Sequence, residues 1–517
     1  MKRRNFVEFL GKGAIIFPML QVGLQGCRSK VGDGMNASLK DELLLTDGLE
    51  YEVLLSWGDP ISSEDTFGYD NDYIAFLPQS GREAILWVNH EQINPRLISG
   101  FNPEDKVNVR NSNQIDKEMY EVGGSIIKLK KSLFGGWKPV IGDELNKRIT
   151  AHTPIPFKWH EKVARKDQAI GTLANCSGGV TPWGTILTCE ENYNNFYGER
   201  DYANAKFRKS YLGWESFKGN PTEHYGWVVE VNPITGEAQK HVGLGRFAHE
   251  CATVQALEDG RVVIYTGDDI EGGCLYKYIS EEPGQIYPGK LYVANTEKGE
   301  WIHLDYGSLS HLFKSETEML IRCRDAAIAI GGSQLDRPED IEIDPLTGDV
   351  IISLTDNVKK DNHFGSIVKL SETDTNYESL TFSYDTLLTG GEETGFACPD
   401  NLIFDKVGNL WFTSDIKGAN LGKGMFESFG NNGLYVLIRN GEQAGKIIQV
   451  ASAPKEAELT GPCFSDDWET LFLSVQHPGE RSSQDNYTSN WPKGGAEMPR
   501  PSVVAITGGF LEAIQDL

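Results

Sequence analysis

The sequence predicts an all-β fold, a β-propeller of six blades with loop insertions. Three observations predict it. The chain has 517 residues with 56 glycines, its apolar runs are short and separated by Gly, Asp, Asn and Pro, and a hairpin followed by a third strand recurs along it. Repeats of this size stack around a channel. A pair of β-sandwiches is the alternative, and strand-like pieces within residues 290–325 leave a seventh blade open.

Six hairpins carry the repeat, and most have a Gly-containing turn between two short strands. A third strand follows most of them. The hairpins predict one propeller domain over residues 51–517. Their paired strands are expected at 73–77 and 84–88, 177–182 and 185–188, 250–256 and 261–266, 340–344 and 349–354, 401–404 and 409–413, and 462–465 and 470–475.

The N-terminus has the pattern of an export signal. Arg3-Arg4 precede a short apolar stretch at 14–20, as in twin-arginine signals, and Leu24-Gln25-Gly26-Cys27 resembles a lipoprotein cleavage box. We therefore expect a signal over 1–27, a polar tether over 28–50, and a periplasmic or cell-surface protein lipidated at Cys27. The alternative is that Cys27 is incidental and that an ordinary signal peptidase cuts nearby.

Charge and cysteine content narrow the function classes. The formal net charge is −25, which repels nucleic acid and anionic lipid, so the only membrane contact expected is through the lipid anchor. Seven of the eight cysteines remain beyond Cys27, so at least one thiol is unpaired. The chain has no CxxC pair, which excludes zinc-ribbon and thioredoxin-like sites.

Acidic residues concentrate where the predicted inner strands start and where their antiparallel neighbours end. These two sets lie at one mouth of the channel. Carboxylates brought together there repel one another unless cations neutralise them. Oxygen ligands suit Ca²⁺ or Mg²⁺, and a thiolate among them suits iron. The candidate metal ligands are Glu91, Cys189, Glu190, Glu191, Glu250, Glu339, Asp340, Asp400 and Glu480.

Two arginines are candidate phosphate or carboxylate ligands. Arg246 precedes His249-Glu250, and Arg337 precedes Glu339-Asp340. A guanidinium binds either anion in a bidentate manner. Each arginine could instead pair with a neighbouring blade acid. Strand alternation places Arg337 and Glu339 on the same side, facing the channel.

Several motifs together resemble the PhoX family of alkaline phosphatases over about residues 50–500. The most specific runs from Thr181-Pro182-Trp183-Gly184 to Thr188-Cys189-Glu190-Glu191-Asn192. The others are Trp57-Gly58-Asp59-Pro60, Asn71-Asp72-Tyr73, Trp87-Val88-Asn89-His90-Glu91, Gly245-Arg246-Phe247 with His249-Glu250, Tyr265-Thr266-Gly267-Asp268-Asp269, Arg337-Pro338-Glu339-Asp340 and Gln476-His477-Pro478-Gly479-Glu480.

The resemblance implies a six-bladed propeller that hydrolyses phosphomonoesters with Fe(III) and Ca²⁺ at the channel. It implies Cys189 as an iron ligand, Glu250 and Glu339 as metal ligands, and Arg337 as the catalytic residue on the phosphate. The expected partner is a small phosphomonoester, and the expected state is a monomer.

Two other functions remain open from the residues. One is a calcium-dependent lactonase or sugar-acid hydrolase, for which Pro399-Asp400-Asn401 at an inner-strand start is suitable. The other is a non-catalytic surface propeller that binds protein or glycan. Both predict a colourless protein without iron. The sequence has no GxSxG elbow and no Walker A loop, which argues against a serine hydrolase of that type and against an NTPase.

Overall fold

Six sheets surround a central channel in the computed structural model, which describes residues 34–104, 110–133 and 135–516. The predicted signal and Cys27 lie outside the described residues. Two short strands come first, β1 (Leu44–Leu45) and β2 (Glu50–Ser56). Blade 1 follows with β3 (Asn71–Ser80), β4 (Glu83–His90), β5 (Gly123–Lys131), β6 (Trp137–Pro139) and β7 (Lys147–Ile149).

Blades 2 and 3 carry the largest insertions. Blade 2 has β8 (Pro154–Lys158), β9 (Gln168–Ile170), β10 (Asn175–Val180) and β11 (Ile186–Glu190), then a separate two-stranded ribbon of β12 (Glu199–Asp201) and β13 (Lys206–Arg208), then β14 (Val228–Val231) and β15 (Ala238–His241). Blade 3 has β16 (Thr253–Ala256), β17 (Val262–Gly267), β18 (Leu275–Ser280), β19 (Gly289–Asn295) and β20 (Glu300–His303).

The last three blades are four- or five-stranded. Blade 4 has β21 (Pro338–Ile343), β22 (Val350–Leu354), β23 (Ser366–Glu372) and β24 (Phe382–Thr389). Blade 5 has β25 (Pro399–Phe404), β26 (Leu410–Ser414), β27 (Gly433–Leu437) and β28 (Ile447–Ser452), with β1 added at its edge. Blade 6 has β29 (Glu458–Phe464), β30 (Leu471–Gln476) and β31 (Ser502–Thr507), with β2 as its outer strand.

Short helices occupy the insertions. They are α1 (Pro95–Ile98), α2 (Ser112–Glu121), α3 (Asn194–Tyr197), α4 (Glu215–Lys218), α5 (Tyr306–Leu309), α6 (Glu316–Ile321), α7 (Cys323–Ala329) and α8 (Gly509–Gln515). The region 290–325 therefore extends blade 3 and adds helices, and the six-bladed prediction is confirmed. No helix among the described residues has the length and apolarity needed to cross a bilayer.

The ring closes through its N-terminal segment. Strand β2 pairs antiparallel with β31, from Glu50 opposite Thr507 to Ser56 opposite Ser502. Strand β1 pairs with β28 in the neighbouring blade. The predicted tether over 28–50 is therefore wrong at its C-terminal end, because Leu44–Leu45 and the start of β2 belong to the sheets. Its polar composition hid the buried Leu43, which packs in the core between blades 5 and 6.

Two buried ion pairs hold strands together away from the channel mouth. Lys240 on β15 meets Glu190 at the end of β11 at 2.6 Å, and both side chains are fully buried. Lys277 on β18 meets Glu372 on β23 at 2.9 Å, also fully buried, and so joins blades 3 and 4. Each acid has a matching base and further donors, as buried charges require.

Candidate metal centre and active site

A cavity of about 540 Å³ opens at one mouth of the channel. All six blades contribute acids to it, as predicted from the acidic residues at the starts of the inner strands and at the ends of their antiparallel neighbours. Its bases in the described part of the chain are Arg96, Arg337, Arg481 and His477. Twelve carboxyl side chains of the described residues line it: Asp70, Asp72, Glu91, Glu104, Glu191, Glu250, Asp269, Glu339, Asp400, Asp415, Glu458 and Glu480.

One repeated backbone feature builds the floor of this cavity. In blade 1, Asn71 pairs with His90 and the ladder resumes only at Ile74 opposite Val88, so the inner strand bulges between them. A bulge interrupts the regular alternation of side chains between the two faces of a strand, so its residues point in a different direction. Equivalent irregularities occur at the start of the inner strand in blades 2, 3, 4 and 5. The first residue of each bulge is a possible metal ligand: Asp72, Cys176, Glu250, Glu339 and Asp400.

The residue that precedes the inner strand is also unusual. It has a left-handed backbone in four blades, at Asp70 (φ 54°), Ala174 (φ 53°), Arg337 (φ 56°) and Cys398 (φ 52°). Such a conformation costs a non-glycine residue about 1–3 kcal/mol and persists where the surroundings enforce it. The turn directs the following residues of each inner strand into the mouth.

These side chains approach closely enough to share cations. Three groups each have ligand atoms within 4.8 Å of one another, and together they span blades 1 to 5. The Cys176 sulfur lies 3.1 Å from a carboxylate oxygen of both Asp72 and Glu250. The groups are Asp72–Glu91–Cys176, Cys176–Glu191–Glu250 and Glu250–Glu339–Asp400.

The buried acidic groups of the cavity floor need positive charge nearby. Burial, reinforced by neighbouring acids, raises the pKa values of Asp72, Glu191 and Glu250 well above their usual range. Burial and the adjacent Asp72 do the same to the pKa of the Cys176 thiol. One carboxylate oxygen each of Asp70, Asp72 and Glu250 is buried without a hydrogen-bond partner among the described residues. This set of ligand atoms combines carboxylate oxygens, some without a hydrogen-bond partner, with one cysteine sulfur. Such a set suits metal cations.

Arg337 is the cationic side chain that pairs with a cage acid, Glu339. Its guanidinium pairs with both oxygens of Asp269, at 3.0 and 2.7 Å, and with Glu339 at 2.6 Å. Burial alone would lower the pKa of Arg337, but Asp269 and Glu339 hold it well above its usual range. Its Nη1 is buried and makes no hydrogen bond to a described residue. It lies 3.7 Å from a carboxylate oxygen of Asp356 and of Asp415, which is too far for a hydrogen bond, so this N–H can donate to an anion in the cavity.

The structure brings six of the nine predicted metal ligands to the cavity and leaves three outside. Cys189 is one of the three. It lies fully buried in the apolar cluster that also contains Leu187 and Val228. Residues 187 and 189 share one face of β11, so strand alternation turns the thiol into the core. The predicted position of Cys189 at the cavity is wrong, and Cys176 is the thiol found there.

Glu190 and Asp340 also lie outside the cavity. Glu190 is held by Lys240 and by the backbone N–H groups of Gly226 and Trp227. Asp340 accepts from the N–H of Leu402 at 2.9 Å and lines a second stretch of the channel, a cavity of about 260 Å³. The six that do line the mouth cavity are Glu91, Glu191, Glu250, Glu339, Asp400 and Glu480.

Arg246 does not reach the cavity either. Its Nε donates to the Tyr225 carbonyl at 2.7 Å, its Nη2 contacts Glu199 at 3.0 Å, and the guanidinium stacks on Tyr193 at 4.5 Å. It anchors the insertion of blade 2, so the structural interpretation of Arg246 is the correct one.

Sequence reasoning missed Cys176 and Asp72. Aligning the blades by their bulges supplies the signal: Asn71-Asp72, Asn175-Cys176, His249-Glu250, Pro338-Glu339 and Pro399-Asp400 occupy one position in five blades. The predicted inner strands of blades 1 and 2 began at 73 and 177, two residues after the observed starts at Asn71 and Asn175. That shift removed both ligands from the set.

All seven cysteines of the described residues are free thiols. This exceeds the minimum of one that counting requires. These thiols lie in two kinds of surroundings. Most are buried as small apolar side chains, whereas Cys176 is the one that lines the acidic cavity.

The fold and the site together define a β-propeller with a metal-ligand cage at one channel mouth. The family model described as Alkaline phosphatase PhoX matches residues 32–479. The chain therefore belongs to the PhoX family of alkaline phosphatases. It is a phosphoric monoester hydrolase of a metal-dependent family, and its substrate is a small phosphate ester.

One solved structure agrees with the family, and two others are far less similar. Pseudomonas fluorescens PhoX, in complex with vanadate as a transition-state analogue, is 28% identical with a TM-score of 0.82, over 93% of this chain and 98% of that chain. A protein of unknown function from Dyadobacter fermentans is 10% identical with a TM-score of 0.42, over 89% and 99%. A gluconolactonase from Xanthomonas campestris is 10% identical with a TM-score of 0.33, over 88% and 98%. The search of curated proteins found no match.

Proposed function

We propose that this phosphatase hydrolyses phosphomonoesters in the mouth cavity, with Fe(III) and Ca²⁺ held by the bulge residues and with Arg337 on the phosphate. The single observation that carries the proposal is the cage itself. A thiol and six carboxyl groups lie close together on the cavity floor, and among the described bases only Arg337 pairs with one of them, Glu339. We assign the thiolate donor to Cys176.

A phosphate dianion cannot approach bare carboxylates, so the cations must be in place before substrate binds. Cys176, Asp72, Glu91, Glu191, Glu250, Glu339 and Asp400 would hold them. When bound, metal ions of this kind polarise phosphoryl oxygens and activate an oxygen nucleophile. The cage residues contribute by fixing ligand positions from five blades of a rigid ring, which favours positioning catalysis.

Arg337 would hold one phosphoryl oxygen. Its Nε and Nη2 donate to the two carboxylate oxygens of Asp269, which orients the side chain. Nη1 is then the group that donates into the cavity. Phosphoryl transfer depends mainly on positioning and on neutralising charge on these oxygens. A donor that is already buried and oriented loses little entropy when substrate binds.

The proposal extends to location. The twin arginines and the cleavage box support export by the twin-arginine route to the periplasm or cell surface, with a lipid on Cys27 and a monomeric catalytic domain. Mass spectrometry of the processed N-terminus tests this part. An unlipidated terminus at another residue would contradict it.

Elemental analysis combined with an assay tests the catalytic part. Protein purified without chelator should contain iron and calcium, absorb visible light through the iron–thiolate bond, and hydrolyse p-nitrophenyl phosphate. A colourless, iron-free protein with full activity would contradict the metal assignment. A coloured, metal-loaded protein without activity on any phosphomonoester would contradict the reaction.

A further inference from the structure

The mouth cavity has a second wall of a different character. Beside the acids, the cavity is also lined by Ile93, Pro95, Tyr211 and Leu212. Ile93 and Leu212 pack on the same apolar cluster, so this wall is continuous with a core beneath it. The cavity thus has an acidic floor and an apolar side.

Tyr211 stands out on this wall. Its side chain is 64% exposed, and among the large exposed hydrophobic residues described it is the one that lines the cavity. An exposed aromatic ring inside a concave site is suited to contact a ligand, because it offers a large surface and loses little side-chain entropy.

The backbone that carries Tyr211 is firmly held. The Leu212 N–H donates to the Asn195 carbonyl at 2.9 Å, and the Trp214 N–H donates to the Phe196 carbonyl at 3.1 Å. Both acceptors lie in α3, which begins three residues after the cage residue Glu191. Leu212 itself is buried. The loop therefore fixes the position of the Tyr211 backbone relative to the cage.

Arg110 joins the two segments of the wall. Its guanidinium donates to the Leu212 carbonyl and lies over the Phe101 ring at 4.6 Å. The Phe101 N–H in turn donates to the Pro95 carbonyl at 3.1 Å. The apolar side is thus assembled before any ligand arrives.

We propose that Tyr211 and this wall bind the leaving group of the substrate and favour phosphomonoesters whose leaving group is a planar aromatic ring. This inference rests on the proposed function: with the phosphate on the acidic floor, the substituent of the ester oxygen has to occupy the rest of the cavity, which this wall helps to line. Tyr211 is the specificity-determining residue of that subsite.

Substrate comparison tests the inference. For phenyl phosphate, Tyr211→Ala should lower kcat/KM about three- to ten-fold, mainly through KM, because one aromatic contact is lost. For glycerol 1-phosphate it should leave kcat/KM unchanged. Tyr211→Phe should restore the wild-type ratio. Phe217→Ala is the matched control, since Phe217 is 43% exposed and lies outside the cavity lining, and it should change neither substrate.

A binding measurement separates recognition from turnover. By calorimetry, phenylphosphonate should bind the wild type more tightly than methylphosphonate, and Tyr211→Ala should abolish the difference. Equal losses for both esters, or no loss for either, would overturn the leaving-group subsite and leave the phosphatase intact. A wild type that hydrolyses neither ester would overturn the proposed function, and the subsite with it.

Discussion

Two sets of buried carboxylates in this propeller have opposite surroundings. Glu190 and Glu372 lie within and between blades, and each contacts a fully buried lysine. The acids of the three ligand groups at the channel mouth are also buried, but they face one another and a thiol. Burial of an acid alone therefore does not identify a functional site. The balance of charge around it does, since an uncompensated cluster needs cations or protons.

The adjacent residues Glu190 and Glu191 belong to different sets, so their variants should differ most. Glu191→Gln removes a cage ligand, so activity should fall about 100-fold or more and metal content should fall with it. Glu190→Gln breaks the pair with Lys240, so the free energy of unfolding should drop by about 3–5 kcal/mol. The metals of Glu190→Gln should stay. Elemental analysis, kinetics and denaturant unfolding measure both variants. Metal loss in Glu190→Gln, with only a loss of stability in Glu191→Gln, would contradict the distinction between the two sets of acids.

The two thiols offer a second comparison. Cys176→Ala should lose iron, visible absorbance and roughly 100-fold in activity, by the same loss of a ligand. Cys189→Ala removes only a small core side chain, so it should lower the free energy of unfolding by about 1 kcal/mol and keep the colour. Absorption spectra of the two purified variants decide between them. A colourless Cys189→Ala with a coloured Cys176→Ala would restore the prediction from the sequence.

Arg337 tests whether the mouth does more than hold metal. Removing one charged hydrogen bond costs about 1.5–3 kcal/mol, so Arg337→Ala should lose about 10- to 100-fold in kcat/KM. Inhibition by inorganic phosphate should weaken in parallel, whereas the metals should remain. A variant that loses metal instead would make Arg337 a structural partner of Asp269 and Glu339.

The pH dependence of the metal-free protein gives a smaller effect. Burial raises the pKa of Asp70 to about 7 and that of Glu458 to about 8. The folded state therefore binds these protons more tightly than the unfolded state, and the stability they confer is lost as pH rises through 7 to 8. In chelator, Tm should fall by about 5–10 °C between pH 5 and 8.5. A flat profile in chelator would contradict the uncompensated cluster.

Much of the fold could be predicted from the sequence because each blade carries its own hairpin signal. The mouth could be predicted because antiparallel pairing fixes which strand ends meet. The positions of Cys189, Glu190 and Asp340 could not. Strand alternation turns the Cys189 thiol into the core, Lys240 holds Glu190, and Asp340 lines the second stretch of the channel, whereas bulges turn Asp72 and Cys176 toward the mouth cavity. A bulge has no sequence signature in one blade and becomes visible only when the blades are aligned. The end of the tether was missed because Leu44–Leu45 is too short to predict as a strand.

The melting temperature with and without chelator shows whether cations hold the channel mouth together. The cage should be unstable when empty, because like charges are then packed together. We expect a calcium and iron chelator at pH 8 to abolish activity and lower Tm, and added Ca²⁺ with Fe(III) to restore both. Glu190→Gln should show the same drop in chelator as the wild type, because its change lies outside the cage. A wild-type melting curve that chelator leaves unchanged would contradict the claim that cations hold the mouth together.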